Sequence, residues 1–230
     1  TTKLLALSLR DYGAGADQAT HFSDVLFAAA RDGGVSFDDL SNTIGKIAPL
    51  AHGAGLSFEE TAAALATMGR AGIDSGTAAG ALTRILSALA DPTVQVQKAA
   101  AQLGGFFSIS AVQTKGFAGF LDDLALKTGG NIDSLKNLGF SARSLDAVFA
   151  LLHDSGGAFT AELALINSSS GATAEAFARA ALQISQTTQA LQNAIQGAAV
   201  QIGLPLKDAF IQLEIAAAHL FLAIKDGAEA

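Results

Sequence analysis

The chain has 230 residues, half of them hydrophobic and only 15% charged. That is enough for one large domain or two small ones, and most apolar faces must end up covered by other helices or other chains. A net charge of −7, with no basic stripe and no polybasic run, argues against nucleic-acid or anionic-lipid binding, and the absence of cysteine excludes disulfides and thiolate metal sites. Thr1 stands where an initiator Met would, and the chain stops abruptly at Ala230, so it reads as part of something longer.

In chain order, residues 2–10 resemble the tail of a helix, broken at Gly13-Ala14-Gly15. Asp17 to Asp32 follows as a helix with Phe22, Leu26 (or Val25) and Ala29 on one face, stopped by Gly33-Gly34. Ser36 caps the next helix, with Asp39 three residues on. Ser57 does so again with Glu60, in the full Ser-x-x-Glu capping box. Thus Val35-Ser36-Phe37-Asp38-Asp39 recurs 21 residues later as Leu56-Ser57-Phe58-Glu59-Glu60. A period near 20 suggests stacked helix-turn units.

The first repeat places Phe37, Leu40, Ile44, Ile47 and Ala51 on one stripe. Pro49 lies inside it and predicts a kink rather than a stop. The second repeat places Phe58, Leu65 and Met68 inward, with alanines between them that let helix axes approach closely. A third helix, Thr77 to Ala90, buries Leu82, Ile85, Leu86 and Leu89. Asp91-Pro92 reads as a restart, with Asp91 at the N-cap and Pro92 at the first helical position, and this helix runs to Leu103 before Gly104-Gly105. Residues 106–113 alternate like a strand, so a small β-hairpin competes with an irregular loop. Helix resumes near Phe117 and runs to Thr128, with Phe117, Phe120, Leu121 and Leu124 inward. Shorter helices follow at 131–138, 144–153 and 158–167.

The last element is different. From Thr173 the only breaker before Gly203-Leu204-Pro205 is Gly197. Phe177, Ala181, Ile184, Thr188, Leu191, Ile195, Ala198 and Ile202 alternate in steps of four and three, a heptad seam. Leu206, Phe210, Leu213, Ala217, Leu220 and Ile224 resume it one residue out of phase. No run qualifies as a transmembrane helix: residues 180–206 carry six glutamines, and 209–224 is too short and contains Glu214 and His219. The fold expected is all-α: stacked short antiparallel helices over 1–171, then a long C-terminal helix over 172–230, broken near 203–205.

Chemistry is sparse. His21, His52, His153 and His219 lie far apart, without a second ligand three or four residues away. Asp38-Asp39, Glu59-Glu60 and Asp122-Asp123 are adjacent pairs, whose side chains diverge on a helix. Capping explains Glu59 and Glu60 better than acid–base work. Gly104-Gly105 follows a helix instead of opening one, and there is no Gly-x-Ser-x-Gly. A glycan-cleaving cleft would need paired carboxylates and usually aromatic sugar platforms, yet the chain has no Trp and only Tyr12. No catalytic, cofactor-binding or metal-binding residue is expected.

An ordered set of segments carries a resemblance instead: residues 21–30, 35–40, 47–51 and 55–65, then Ala71-Gly72-Ile73, Ala78-Ala79-Gly80-Ala81-Leu82 and Leu89-Ala90-Asp91-Pro92. In this order and spacing they resemble the core region of phage tail tape measure proteins. The likeness is dense from Asp17 to Gly105. It continues more loosely through Gly139-Phe140 to Leu152, Ser168-Ser169-Ser170-Gly171, and the Gln-rich helix before Gly203-Leu204-Pro205-Leu206. The resemblance implies a structural, non-enzymatic protein, present in several copies in the tail tube lumen or tip, whose full length sets tail length. It also implies expulsion before the DNA and help to the genome in crossing the host envelope. Peptidase or transglycosylase activity, where the family has it, lies in added domains.

The implied partners are copies of the same chain, tail tube and tip proteins, the tail assembly chaperone, and a host membrane after ejection. The implied places are the virion, the host cytoplasm during assembly and the host envelope on ejection. The long monotonous coiled coil that measures is lacking here, so this stretch should not set length alone. A membrane-active, pore-forming helical domain and a helical-repeat binding scaffold are the rival readings. The first would release dye from liposomes; the second would be monomeric with one concave polar face. If the phase slip at 203–205 is a breaking point between packaged and ejected states, Pro205→Ala alters ejection or membrane permeabilisation without changing expression. Unchanged behaviour in both assays would refute it.

Overall fold

The computed structural model describes residues 10–153 and 156–176, together with 178–180, 182–183, 189–190 and 215. By contact the chain divides into two compact units, Thr1–Ala174 and Glu175–Ala230. A 3-10 turn, Ala16–Gln18, leads into α1 (Ala19–Gly33). Then come α2 (Phe37–Gly53), α3 (Phe58–Arg70), α4 (Ser75–Ala90), α5 (Val94–Gln102), α6 (Ile109–Thr128), α7 (Ile132–Asn137), α8 (Ala142–Leu152) and α9 (Gly157–Asn167). The fold is all-α, and no strand occurs among the described residues.

Both Ser-Phe-acidic starts form as caps. Ser36 Oγ accepts from Asp39 N at 3.0 Å, and Ser57 Oγ accepts from Glu60 N at 3.0 Å. Glu60 Oε2 completes the box by accepting from Ser57 N at 2.9 Å. Gly34 ends α1 in the left-handed region at φ 65°, where a side chain would be strained. Helix α2 continues through Pro49 to Gly53, as expected of a proline that does not stop the helix.

The centre of the first unit is α3. Nine of its 13 residues are buried, including every alanine in it, so it has almost no solvent face. It packs against α1, α2, α4, α8 and α9, and the buried apolar side chains of α1 through α9 form one continuous cluster. The stack suggested by the 21-residue period is therefore closed around its second repeat rather than open. Contact between α1 and α3 is close enough to need glycine. A Cβ on Gly69 would lie 2.5 Å from the Gly33 carbonyl oxygen, and one on Gly33 would lie 2.8 Å from Ala66 Cα.

Three expectations need correcting or relocating. Residues 106–113 form no hairpin: Ser108 caps α6, accepting from Ala111 N at 3.2 Å, and the helix is under way from Ile109. The aromatic pair before it serves as an anchor, with the buried Phe107 ring 5.6 Å from Phe120 and 6.1 Å from Phe140. Asp91 is not an N-cap, because its N–H still closes α4 onto Ser87 O at 2.9 Å. The Thr93 hydroxyl takes the cap instead, accepting from Val96 N at 3.3 Å, and α5 starts at Val94, not Pro92. The restart expected near Phe117 is a real break within α6: Gly116 has φ 73° and ψ 169°. Beyond it, Phe117 N donates to Glu60 Oε1 at 3.0 Å, so the Glu60 carboxylate serves the first turns of two helices.

In the second unit all described positions are helical, and Glu175 and Arg179 form an ion pair one turn apart. The heptad positions Phe177, Ala181, Ile184, Thr188, Leu191, Ile195, Ala198 and Ile202, their continuation from Leu206 to Ile224, and the break at 203–205 lie outside the described residues.

The tight α1–α3 contact separates two glycine substitutions. Gly80 is inside α4 and a Cβ there meets nothing within 4 Å. Gly80→Ala should stabilise by about 0.5–1 kcal/mol through helix propensity. Gly69→Ala, which has the same propensity gain, should destabilise by about 1–3 kcal/mol through overpacking. Urea unfolding of the two variants checks the difference in sign.

Candidate functional site

The polar residues singled out in the sequence are dispersed into structural roles. His21 on α1 meets Glu59 on α3, Nε2 to Oε1 at 2.6 Å, a pair exposed enough to be worth about 0–1 kcal/mol. Asp39 accepts from Ser36 Oγ at 2.7 Å, and Asp123 pairs with Lys115. His153 ends α8, and His219 lies outside the described residues. Among the described residues no group of three or more His, Asp or Glu could hold a metal.

What the fold does bring together is an aromatic cluster around Tyr12. Phe22 and Phe58 stack with ring centres 3.9 Å apart, and the Tyr12 ring meets Phe58 edge-on at 5.5 Å and His52 at 5.4 Å. Tyr12 and Thr61 share a hydroxyl–hydroxyl hydrogen bond of 2.7 Å. Burial pushes the Tyr12 phenol up, only partly offset by that bond, and Glu59, Glu60 and Asp11 push it further the same way. It is therefore held as a neutral phenol. A cleft of about 380 Å³ opens beside it, lined by Gln18, His52, Ser57 and Glu59 among others. Another, of about 400 Å³, opens between α4 and the start of α8, with Arg84 and Arg143 on its walls.

Two buried carboxylates matter more to the architecture, and neither stands out in the sequence. Asp24 on α1 accepts from the backbone N–H of Gly171 at 2.8 Å and of Thr173 at 2.9 Å. Burial raises its pKa, but the bonds from Thr173 and Gly171, helped by the His21 charge, outweigh that and hold it below the usual value. Glu162 on α9 accepts from Arg70 of α3, Oε2 to Nη1 at 2.9 Å, while its buried Oε1 has no partner among the described residues. Burial pushes Glu162 up and Asp32 adds to it, against the hydrogen bond and charge of Arg70 and the charge of Arg31. The only sequence signal for either was an acid within an otherwise apolar run, Val25-Leu26 after Asp24 and Leu163 to Ile166 after Glu162.

The profile of the family described as phage-related minor tail protein matches residues 1–142. The chain belongs to that family. It is a phage tail protein related to tape measure proteins, with a structural role in the virion. One similar relative is a tape measure protein of Pneumococcus phage Dp-1, 39% identical over 107 residues; the match covers 46% of this chain and 9% of that relative. No solved structure gives a significant match. The densest part of the resemblance, Asp17 to Gly105, spans α1 to α5, of which α1, α2 and α4 pack on α3.

The two carboxylates have opposite pH signs. Asp24 contributes stability that is present above the unfolded carboxylate pKa and is lost as pH falls through its lowered folded value. Glu162, raised, contributes stability that is present below its unfolded value and is lost as pH rises through its folded value. Glu162→Gln should therefore unfold at a temperature that gains on the parent protein as pH is raised from about 4 to about 7. Thermal melts followed by circular dichroism across that range provide the check.

Proposed function

We propose that this chain is a local folded module of a tape measure protein, acting in tail assembly and genome ejection. It takes part in length determination only as a portion of the whole protein. The carrying observation is the family match over residues 1–142 on a unit built of short packed helices. The longest of these, α6, has 20 residues and a break at Gly116, so it spans at most about 30 Å. A ruler needs an extended element, and this unit is compact. The module is non-enzymatic on this reading, and its support is that His21, His52, Asp39, Glu59, Glu60 and Asp123 are engaged in ion pairs, ring contacts and caps.

On this reading the module sits in the tail tube lumen or at the tip. There it associates with further copies of itself and with tube, tip and assembly-chaperone proteins. After ejection it contacts the host membrane. Among the described residues no helix is long and apolar enough to cross a membrane.

The compactness makes the reading testable. Duplicating residues 1–174 in frame within the full tape measure protein should change tail length far less than the roughly 260 Å that the same residues would add as continuous helix. Electron micrographs of the resulting tails decide it, and lengthening by the full helical increment would refute the proposal.

A further inference from the structure

The chain is acidic overall, with 14 Lys and Arg against 21 Asp and Glu. In such a chain a guanidinium left without a carboxylate reflects placement, since acids are in excess. Of the six arginines, Arg10, Arg31, Arg70 and Arg179 each pair with an acid. The other two, Arg84 on α4 and Arg143 on α8, make no ion pair or hydrogen bond among the described residues. Both are exposed, and both line the same cleft of about 400 Å³.

The floor of that cleft is one face of α4. Gly76, Gly80 and Arg84 recur every four residues and so share a side of the helix. A Cβ on Gly80 would meet nothing within 4 Å, so the space above it is open. The opposite wall is the start of α8. Ser141 makes no side-chain cap bond there, and the positive end of the helix dipole adds to the two guanidinium charges. One acid, Asp74, also lines the cleft, with Oδ1 accepting from Thr77 N at 2.9 Å.

A guanidinium presents forked donors that match a carboxylate in both plane and charge. The Asp74 carboxylate works against a polyphosphate or nucleic-acid strand, whose closely spaced charges would have to pass it. The same group offers an acceptor to a ligand N–H. A peptide supplies both partners, an acidic side chain for the arginines and a backbone amide for Asp74. The volume is within the range of ligand clefts. We propose that this cleft docks an acidic peptide segment of a partner protein, whose carboxylates are received by Arg84 and Arg143. The site belongs to the helical unit itself and stands apart from the role in the tail.

Nitrogen–proton correlation NMR of the full 230-residue chain, titrated at low salt with acetyl-tetraglutamate amide, tests it. The side-chain Nε–H signals of Arg84 and Arg143 and the backbone amides of 76–84 and 141–144 should shift together and saturate at millimolar peptide. The matching tetraglutamine peptide should move none of them. Arg84→Gln and Arg143→Gln should each weaken binding by about three- to tenfold. Gly80→Leu keeps both arginines but fills the floor, and should abolish binding while the rest of the spectrum stays native. Shifts spread equally over all lysines and arginines, or no saturable shift at all, would overturn the proposal. So would unchanged binding in either arginine variant or in Gly80→Leu. Tighter binding of inorganic pyrophosphate at the same signals would reassign the cleft to phosphate and overturn it too.

Discussion

Alanine makes α3 thin, and a thin central helix lets five others approach it at once. Each large side chain at its surface would hold a neighbour at about 8–10 Å between axes, whereas small residues allow closer contact and more neighbours. Ala62, Ala63, Ala64 and Ala66 occupy the positions where such neighbours crowd. The larger side chains Phe58, Leu65 and Met68 fill the remaining space, and Phe58 stacks on Phe22 to fix the α1 end. The glycine contacts at Gly33 and Gly69 follow from the same constraint. Once α1 lies this close, a methyl group at either place would meet backbone.

A buried helix must also have its ends satisfied, since its first N–H groups lack partners within the helix. At the α3 start this is done by Ser57 and Glu60, and Glu60 then extends its second oxygen to Phe117. One side chain therefore links the repeat near the N-terminal end of the unit to the second half of α6. The negative charge is well placed there, because both helix starts present positive partial charge to it. Asp24 does a similar service for the segment at Gly171 and Thr173, so two of the longest-range polar links in the unit are carboxylates accepting backbone N–H groups.

Local chemistry was the legible part of the sequence. The Ser36 and Ser57 caps, the Gly33-Gly34 stop, and the inward sets of α4 and the second half of α6 can all be read from spacing. Neighbouring residues alone determine them. The hairpin reading of 106–113 failed because alternation over so few residues cannot tell a strand from two anchoring aromatics before a capped helix. Asp91-Pro92 misled because Thr93 competes for the same cap, and only the preserved bond to Ser87 shows which residue won. Glu162, Asp24 and the second contact of Glu60 involve partners 57 to 149 residues away. Their immediate surroundings mark Asp24 and Glu162 only as acids in apolar runs and do not name the distant partner.

Gly116 has a further consequence. Because Phe117 begins again on a carboxylate supplied from α3, residues 117–128 do not inherit their position from residues 109–115. A chain inserting or losing a residue before Gly116 would shift the facing of the first half of α6 by about 100° per residue, yet leave Phe117, Phe120, Leu121 and Leu124 in place. The break thus works as an expansion joint.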